Sequence, residues 1–193
     1  MDTWILQQGY PVISARWSED GRAILVSQRR FVSSVSPEEF ERQLATANNG
    51  SSSRSNRKKN NSLFQQWIVP LTIISGQSPA KSTLFWLQSD SLAIPLERNE
   101  KTSGQSGWFK LNHQQSGFYR VNYETAVWRD LIRQLVNSPP DGHFLSAADR
   151  AGLLDDALSL MRIGHLDVNT ALDLTRYLGK RKVLLLLFCY DNF

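Results

Sequence analysis

The hydrophobic pattern of this sequence changes its period once, near Tyr123, and that change limits the folds open to the chain. Before it, apolar and polar residues alternate, as in strands that bury one face. After it, apolar residues recur every three or four positions, as in amphipathic helices. The sequence therefore predicts a fold that is mainly β first and then α.

The stretch GFYRVNYE, residues 117–124, shows the alternation most clearly. As an extended strand it places Tyr119, Val121 and Tyr123 on one face and the residues between them on the other. Arg120 has the chemistry to clamp a carboxylate. The interpretation we favour is a framework strand whose arginine stem lies along apolar neighbours with its head in water.

Seven segments carry strand signals, and their spacing and turn residues predict an antiparallel β-sandwich. Pro70 and Pro95 interrupt two of them, so we expect those two to be edge strands or strands with bulges. The segments are 10–17, 22–32, 66–74, 82–89, 91–97, 107–112 and 117–123.

Three segments in the last third of the chain carry the helical period, the first over residues 126–136. The second begins with Ser146 as N-cap and Asp149 three residues later, which is a capping-box pattern, and it ends at Gly164. The third begins with Asp167 as N-cap. These signals predict consecutive helices that follow the sandwich.

The least regular part of the first half is the segment between the second and third predicted strands. Residues 36–47 have a capping pattern that predicts a short helix, and residues 48–62 are polar and basic, which predicts a mobile loop. The loop's cations have no aromatic residue among them to stack on bases, so we expect no nucleic-acid partner. Asn49 and Asn60 begin two N-glycosylation triplets.

The residues that most often carry catalysis or bind metals do not form a known motif here. His113, His143 and His165 fall in or next to turns, none belongs to an H-E-x-x-H pair, and we expect solvated side chains. Cys189 is the single cysteine, which excludes a disulfide framework and a cysteine-based zinc site. The sequence therefore predicts no metal-binding residue within it.

Two adjacent carboxylates, Asp155 and Asp156, suggest acid–base chemistry at first sight. Neighbours on a helix point about 100° apart and do not share a proton, so the catalytic interpretation is disfavoured. We expect one of them to face solvent and the other to meet an arginine such as Arg150 or Arg162.

Five stretches, in this order and spacing, resemble the zinc aminopeptidases of the aminopeptidase N and glutamyl aminopeptidase family, and glutamyl aminopeptidase most of all. They are MDTWILQQGYPV at 1–12, QRRF at 28–31, WIVPLT at 67–72, SGFYRVNYE with VW at 116–128, and SAADRAGLLDDALSL at 146–160. They span nearly the whole chain.

The resemblance implies a domain map. Residues 1–10 would be the edge of a catalytic domain and a linker, 11–123 a β-sandwich, 124–178 the start of an all-α, solenoid-like domain, and 179–193 a divergent tail. The family's H-E-x-x-H and G-x-M-E-N segments have no matching positions. No catalytic, metal or substrate-binding residue is therefore carried over.

What the resemblance implies about function concerns a larger enzyme. Intact members use zinc to remove N-terminal amino acids from peptides, and those resembled are mostly plasma-membrane ectoenzymes. We expect a non-catalytic, C-terminal-side fragment, without zinc of its own, whose partners are the parent's catalytic and remaining helical domains. The alternative is an autonomous β-sandwich interaction module that binds or competes with an intact aminopeptidase.

The end of the sequence departs from the family, since GKRKVLLLLFCYDNF at 179–193 replaces its usual continuation, which suggests a truncated transcript. Helices that lack their next partners leave apolar faces only partly covered, so we expect self-association through exposed helices. The residues concerned are Leu153, Ala157, Leu160, Met161, Leu172 and Leu174.

Overall fold

A computed structural model describes residues 2–32, 66–96, 107–137 and 145–180. Several predictions from the sequence fall outside these ranges and stay predictions. They are the helix over 36–47, the loop over 48–62 with Asn49 and Asn60, the side chains of His143 and Cys189, and the tail beyond residue 180.

The described residues form strands first and helices afterwards, apart from a single N-terminal turn of helix. The strands are β1 Pro11–Trp17, β2 Ala23–Arg30, β3 Val69–Ser75, β4 Thr83–Leu87, β5 Ser91–Pro95, β6 Phe109–Leu111 and β7 Arg120–Tyr123. The α-helices are α1 Asp2–Ile5, α2 Thr125–Asn137, α3 Ala147–Arg162 and α4 Val168–Thr175, with 3-10 turns at His113–Gln115 and Arg176–Lys180.

The strands form two sheets, in the orders β5-β2-β1-β7 and β4-β3-β6. All pairs are antiparallel except β1 with β7, which is parallel with Val12 opposite Arg120. The prediction of a mainly β, then α fold with an antiparallel-rich sandwich is confirmed. The parallel pair was not anticipated, because nothing in either strand reports its distant neighbour.

The two proline-containing strands behave differently. β5 is an edge strand that ends at Pro95, as expected. β3 is the central strand of its sheet, so the expectation of an edge strand there is wrong. Pro70 is tolerated because β6 is short and pairs with β3 only from Ile73 onward, so that among the described strands β4 alone pairs with β3 at Pro70.

An aromatic chain connects the core of the sandwich to the first long helix. Trp17 of β1 meets Phe109 of β6 edge to face at 5.0 Å, Phe109 lies 5.9 Å from Tyr123, and Tyr123 lies 5.0 Å from Trp128 of α2. All four rings are buried. The sandwich and the helices therefore share one hydrophobic core in the described residues.

The apolar faces of the helices are better covered than the sequence suggested. Leu153, Ala157, Leu160 and Leu174 are buried and Met161 is partly buried, which leaves Leu172 as the exposed member of that set. The expectation of partial cover is wrong for most of these residues because α3 packs on both α4 and β7, and α2 packs on α4.

The buried indole of Trp67 is predicted to contribute strongly to the stability of the sandwich. Its side chain is 1% exposed, so replacement by alanine is expected to lower the free energy of unfolding by about 3–5 kcal/mol through the cavity it leaves. Urea unfolding followed by circular dichroism measures this. Trp86→Ala is the matched control, because that ring is 53% exposed and its loss should cost less than about 1 kcal/mol. Equal losses for the two variants would contradict the described core.

Candidate functional site: a charged joint between strands and helix

Charged side chains gather where α3 meets the strands β6 and β7. We call this region the joint; its members are Lys110, Arg120, Asp149, Asp155 and Asp156. Three of them, Lys110, Asp149 and Asp156, are buried. Because a buried charge is unfavourable unless it is paired and hydrogen-bonded, each contact in the joint requires a physical account.

Asp156 attaches α3 to the open edge of the four-stranded sheet. Its Oδ2 accepts a hydrogen bond from the backbone N–H of Val121 at 3.0 Å, and its Oδ1 accepts one from Nη1 of Arg120 at 3.2 Å. Since β7 is the last of the described strands in its sheet, the carboxylate binds a backbone N–H that a further strand would otherwise bind.

The Arg120 side chain contacts Asp155, Tyr10 and Phe31 rather than extending into water. Its Nη1 donates to Asp155 Oδ2 at 2.6 Å, and its Nε donates to the hydroxyl of Tyr10 at 3.1 Å. The guanidinium also lies 5.2 Å from the ring centroid of Phe31, a cation–π contact. The expectation of a solvated arginine head is therefore wrong, and the carboxylate clamp exists as a structural contact within the chain.

The prediction for the adjacent aspartates, Asp155 and Asp156, is only partly correct. Asp155 is half exposed and Asp156 is buried, so one of the two does face solvent. The arginine that both contact is Arg120, from β7, and not a helical neighbour; Arg150 instead donates to the carbonyl oxygen of Leu145. The geometry differs because the guanidinium lies between two side chains that diverge from the same helix.

The second ion pair, Lys110 with Asp149, is the more deeply buried one. Lys110 Nζ lies 2.9 Å from Asp149 Oδ1, with the two side chains 1% and 0% exposed. The ammonium also donates to the carbonyl oxygens of Leu111 at 2.9 Å and Asn112 at 2.7 Å. An ammonium has three N–H donors, so all three have an acceptor.

Asp149 is equally well supplied with donors. Its Oδ1 also accepts from the backbone N–H of Gln114 at 2.7 Å, and its Oδ2 accepts from the N–H and hydroxyl of Ser146 at 3.1 and 2.7 Å. His113 Nδ1 lies 3.2 Å from the same oxygen. The capping box predicted from Ser146 and Asp149 is confirmed, and the same carboxylate also binds the sandwich.

The pKa values follow from these contacts. Burial lowers the pKa of Lys110, and the neighbouring Asp149 carboxylate opposes this. Burial alone would raise the pKa of Asp149, but Lys110 and the hydrogen bonds from Ser146 and Gln114 outweigh it and hold that pKa below its usual range. Asp149 is therefore ionised at neutral pH, and its negative charge favours the protonated form of Lys110.

The pKa values of Asp156 and Arg120 are both raised, but for different reasons. Burial raises the pKa of Asp156 to about 7, while the Arg120 guanidinium and the Val121 N–H oppose the rise. Burial lowers the pKa of Arg120, but its hydrogen bonds to Asp155 and Tyr10 outweigh burial and raise it, so the guanidinium keeps its charge. Asp156 therefore titrates close to neutral pH.

The turn between β6 and β7 is held in a strained shape against α3. Asn112, Gln114 and Gln115 have φ angles of 55°, 56° and 53°, in the left-handed region that non-glycine residues rarely occupy. The Gln115 amide lies so close to Gly152 of α3 that a Cβ there would be 1.2 Å from its Nε2. A side chain at position 152 would therefore require the Gln115 amide to move away from α3.

The histidines do not assemble a reactive centre in the described residues. His113 is 21% exposed and contacts Asp149, so the expectation of a solvated side chain is wrong for it. His165 lies at the end of α3, where its backbone N–H bonds to Leu160. No group of three or more His, Cys, Asp or Glu side chains within the described ranges could hold a metal ion.

A shallow groove of about 550 Å³ runs over the outer face of the four-stranded sheet. Its charged lining residues are Arg16 and Glu124, and the rest of its polar lining is hydroxyl and amide groups such as Ser14 and Asn122. The groove holds no set of converging acids and bases. The joint is the better-built site, and its chemistry is structural attachment.

No helix among the described residues is long and apolar enough to cross a membrane.

Lys110 is the member of the joint that sequence reasoning missed. A lysine between Phe109 and Leu111 in an otherwise apolar strand is a signal for a buried, paired cation, because lysine is almost never fully buried without a partner. Its partner, Asp149, is distant in sequence and cannot be identified from the strand itself.

A family model described as "ERAP1-like C-terminal domain" matches residues 108–187, from β6 through the helices. The human thyrotropin-releasing hormone-degrading ectoenzyme is 34% identical over 94% of this chain and 15% of its own length. Glutamyl aminopeptidase of Bitis rhinoceros is 33% identical over 92% of the chain and 16% of itself, and aminopeptidase N of Plutella xylostella is 31% identical over 94% and 17%. The chain thus spans about a sixth of the length of these relatives.

Replacing Lys110 with methionine tests the buried pair. Because the variant leaves the Asp149 carboxylate buried without its cation, the free energy of unfolding is expected to fall by about 3–5 kcal/mol. The double variant K110M/D149N should lose less than the sum of the two single losses, as urea unfolding can measure. Arg176→Met is the control, since it removes an ion pair whose side chains are 71% and 55% exposed and is expected to cost less than about 1 kcal/mol. Additive losses would show that the two groups do not interact.

The raised pKa of Asp156 predicts that the stability of the folded chain depends on pH. The folded chain keeps a proton on this carboxyl that the unfolded chain releases above about pH 4. The free energy of unfolding of the unchanged chain should therefore fall, relative to that of D156N, as the pH rises from about 4 to about 7. Tryptophan fluorescence in urea at a series of pH values measures the difference, with Asp155→Asn as control. A constant difference across this range would contradict the raised pKa.

Proposed function

Because the chain belongs to the aminopeptidase family of glutamyl aminopeptidase and aminopeptidase N, we propose that it is a non-catalytic part of a zinc-dependent aminopeptidase. In this proposal the intact enzyme removes N-terminal amino acids from peptides, and this part supplies the β-sandwich and the first helices beside it. A zinc ion would activate water for that hydrolysis. The described residues do not fit a zinc site, so no step of the chemistry is assigned to them.

The observation that carries the proposal is the joint. Two ion pairs and a buried aromatic chain attach the strands to α2 and α3, so the sandwich cannot reorient against these helices without leaving buried charges unpaired. A unit of this kind is suited to hold a catalytic domain and a helical domain at a fixed relative position. Those two domains are the partners we propose, and peptides would reach the chain only through the intact enzyme.

The proposed domain limits are those of the family resemblance: 1–10 for the catalytic-domain edge and linker, 11–123 for the sandwich, 124–178 for the helical domain and 179–193 for the tail. The family model begins at residue 108, inside the proposed sandwich. The joint gives a physical reason for that overlap, because β6 and β7 carry the side chains that hold α3.

A second candidate is an autonomous β-sandwich module that binds or competes with an intact aminopeptidase. It is supported by the continuous buried core of the described residues, which unites both sheets and the helices. The genomic sequence upstream of the codon for Met1 discriminates the two. An in-frame H-E-x-x-H segment there would favour a part of a larger enzyme, and its absence would favour the module. For that enzyme we propose a location at the plasma membrane, because the human relative named above is an ectoenzyme.

The catalytic part of the proposal is tested with the purified chain. We expect no stoichiometric zinc by elemental analysis and no release of product from aminoacyl-anilides, with or without added zinc, because a hydrolytic zinc site needs three protein ligands. An intact aminopeptidase assayed in parallel is the positive control. Chelator-sensitive release of an N-terminal residue by the chain alone would falsify the non-catalytic assignment.

A further inference from the structure

Residues 66–68, which lead into β3, are bound by side chains from two distant parts of the chain. They precede the strand ladder, since the pairing of β3 with β4 begins at Val69. Backbone groups of all three residues nevertheless have hydrogen-bond partners. Strand β2 supplies the partner of the middle residue, and the N-terminal residues supply the partners of the outer two.

Gln28 of β2 binds the middle residue, Trp67. Its Oε1 accepts from the backbone N–H of Trp67 at 2.9 Å, and its Nε2 donates to the carbonyl oxygen of Trp67 at 3.0 Å. The same Nε2 donates to the carbonyl oxygen of Ser89 at 2.7 Å. The Gln28 side chain is 8% exposed, so this amide fixes the start of β3 against the other sheet from within the sandwich.

The N-terminal residues bind the two outer residues of the same segment. Trp4 Nε1 donates to the carbonyl oxygen of Ile68 at 2.9 Å, and Gln7 Nε2 donates to that of Gln66 at 2.6 Å. The hydroxyl oxygen of Thr3 accepts from the N–H of Ile68 at 3.4 Å. Gln7 Nε2 also donates to the carbonyl oxygen of Thr3 at 3.0 Å, which ties the N-terminal residues to one another.

Packing reinforces these hydrogen bonds. The Trp4 ring is partly buried against the hydrophobic core, and its centroid lies 6.3 Å from that of Trp67 at an interplanar angle of 50°. A tilted aromatic pair at this distance adds to the stabilisation that burial alone supplies. Trp4 therefore contributes both a ring and a donor to the attachment.

A second attachment follows a few residues later, at Tyr10. Its carbonyl oxygen accepts from the N–H of Phe31 at 2.8 Å, its ring stacks on Phe31 at 5.3 Å, and its hydroxyl accepts from Arg120. Gly9 lies between the two attachments with a φ of 92°, where a Cβ would be 3.0 Å from Arg30 Nε. A glycine is required there for the chain to turn into β1.

We propose that residues 2–10, which we call the clip, hold the preceding part of the intact enzyme in one fixed direction relative to the sandwich. This inference rests on the proposed function, because the chain spans about a sixth of the length of its relatives. In that enzyme the catalytic part continues directly into the clip. Domains joined by a free linker reorient by default, whereas the clip is bound to the sandwich at two points.

The distance between two spin labels on the full chain tests the proposal. One label replaces Leu6 in the clip (Leu6→Cys) and the other replaces Leu84 of β4 (Leu84→Cys), with Cys189→Ser to remove the native thiol. The two leucines are 80% and 51% exposed, so the labels leave the core intact. Double electron–electron resonance should show one narrow distance distribution, because both labels lie on one packed unit.

Two variants remove the donors without emptying the core. Trp4→Phe keeps a ring but loses the N–H, and Gln7→Ala loses the amide. An unattached stretch from position 6 to Tyr10 explores a root-mean-square span of about 10–12 Å, so the distribution of the double variant should broaden by several ångströms. Gln8→Ala is the matched control, because that neighbouring side chain is exposed, and it should leave the distribution narrow. Circular dichroism verifies that every variant is folded.

The outcomes separate the clip from the proposed function. A broad distribution in the unchanged chain, or one that the double variant leaves narrow, would overturn the clip and leave the proposed function untouched. A narrow distribution that the double variant broadens would support the clip. If the genomic sequence upstream of Met1 then held no H-E-x-x-H segment, the proposed function would fail and the clip would have no catalytic part to hold.

Discussion

The pairing of Lys110 with Asp149 is the contact on which the surrounding structure depends. Two opposite charges are buried together, and they are tolerable there because the ammonium and the carboxylate each bind several further groups. Those groups fix the start of α3 and the shape of the turn between β6 and β7. The strained backbone at Asn112 and Gln114 persists because the same contacts over-determine it.

The joint also explains why the strands and the helices should unfold together. Asp156 occupies the hydrogen-bonding edge of β7, and the ring of Trp128 extends the aromatic core from the strands into α2. Loss of α3 would therefore expose an open strand edge and two cations at the same time. These contacts make one packed unit of β6, β7, α2 and α3, so no boundary of that unit lies at Tyr123, where the secondary structure changes. The family model begins at residue 108, just before β6, and so includes this unit.

Local signals made much of this fold predictable, and long-range contacts made the rest unpredictable. The capping box of Ser146 and Asp149 needs only four consecutive residues, so the sequence reveals it. The partner of Lys110 lies on another element, and the arginine that meets Asp156 comes from a strand and not from the helix itself. Pro70 shows a third case, because a short neighbouring strand made room for a proline in a central position.

The parallel pairing of β1 with β7 has a consequence for how the chain reaches this structure. Val12 and Arg120 are opposite each other although more than a hundred residues separate them, so the first strand stays without one neighbour until the last strand has been synthesised. Closing so large a loop delays the contact and slows folding. During synthesis on the ribosome, the edge of β1 is consequently open to a chaperone or to a neighbouring nascent chain for most of the time that the sandwich takes to emerge.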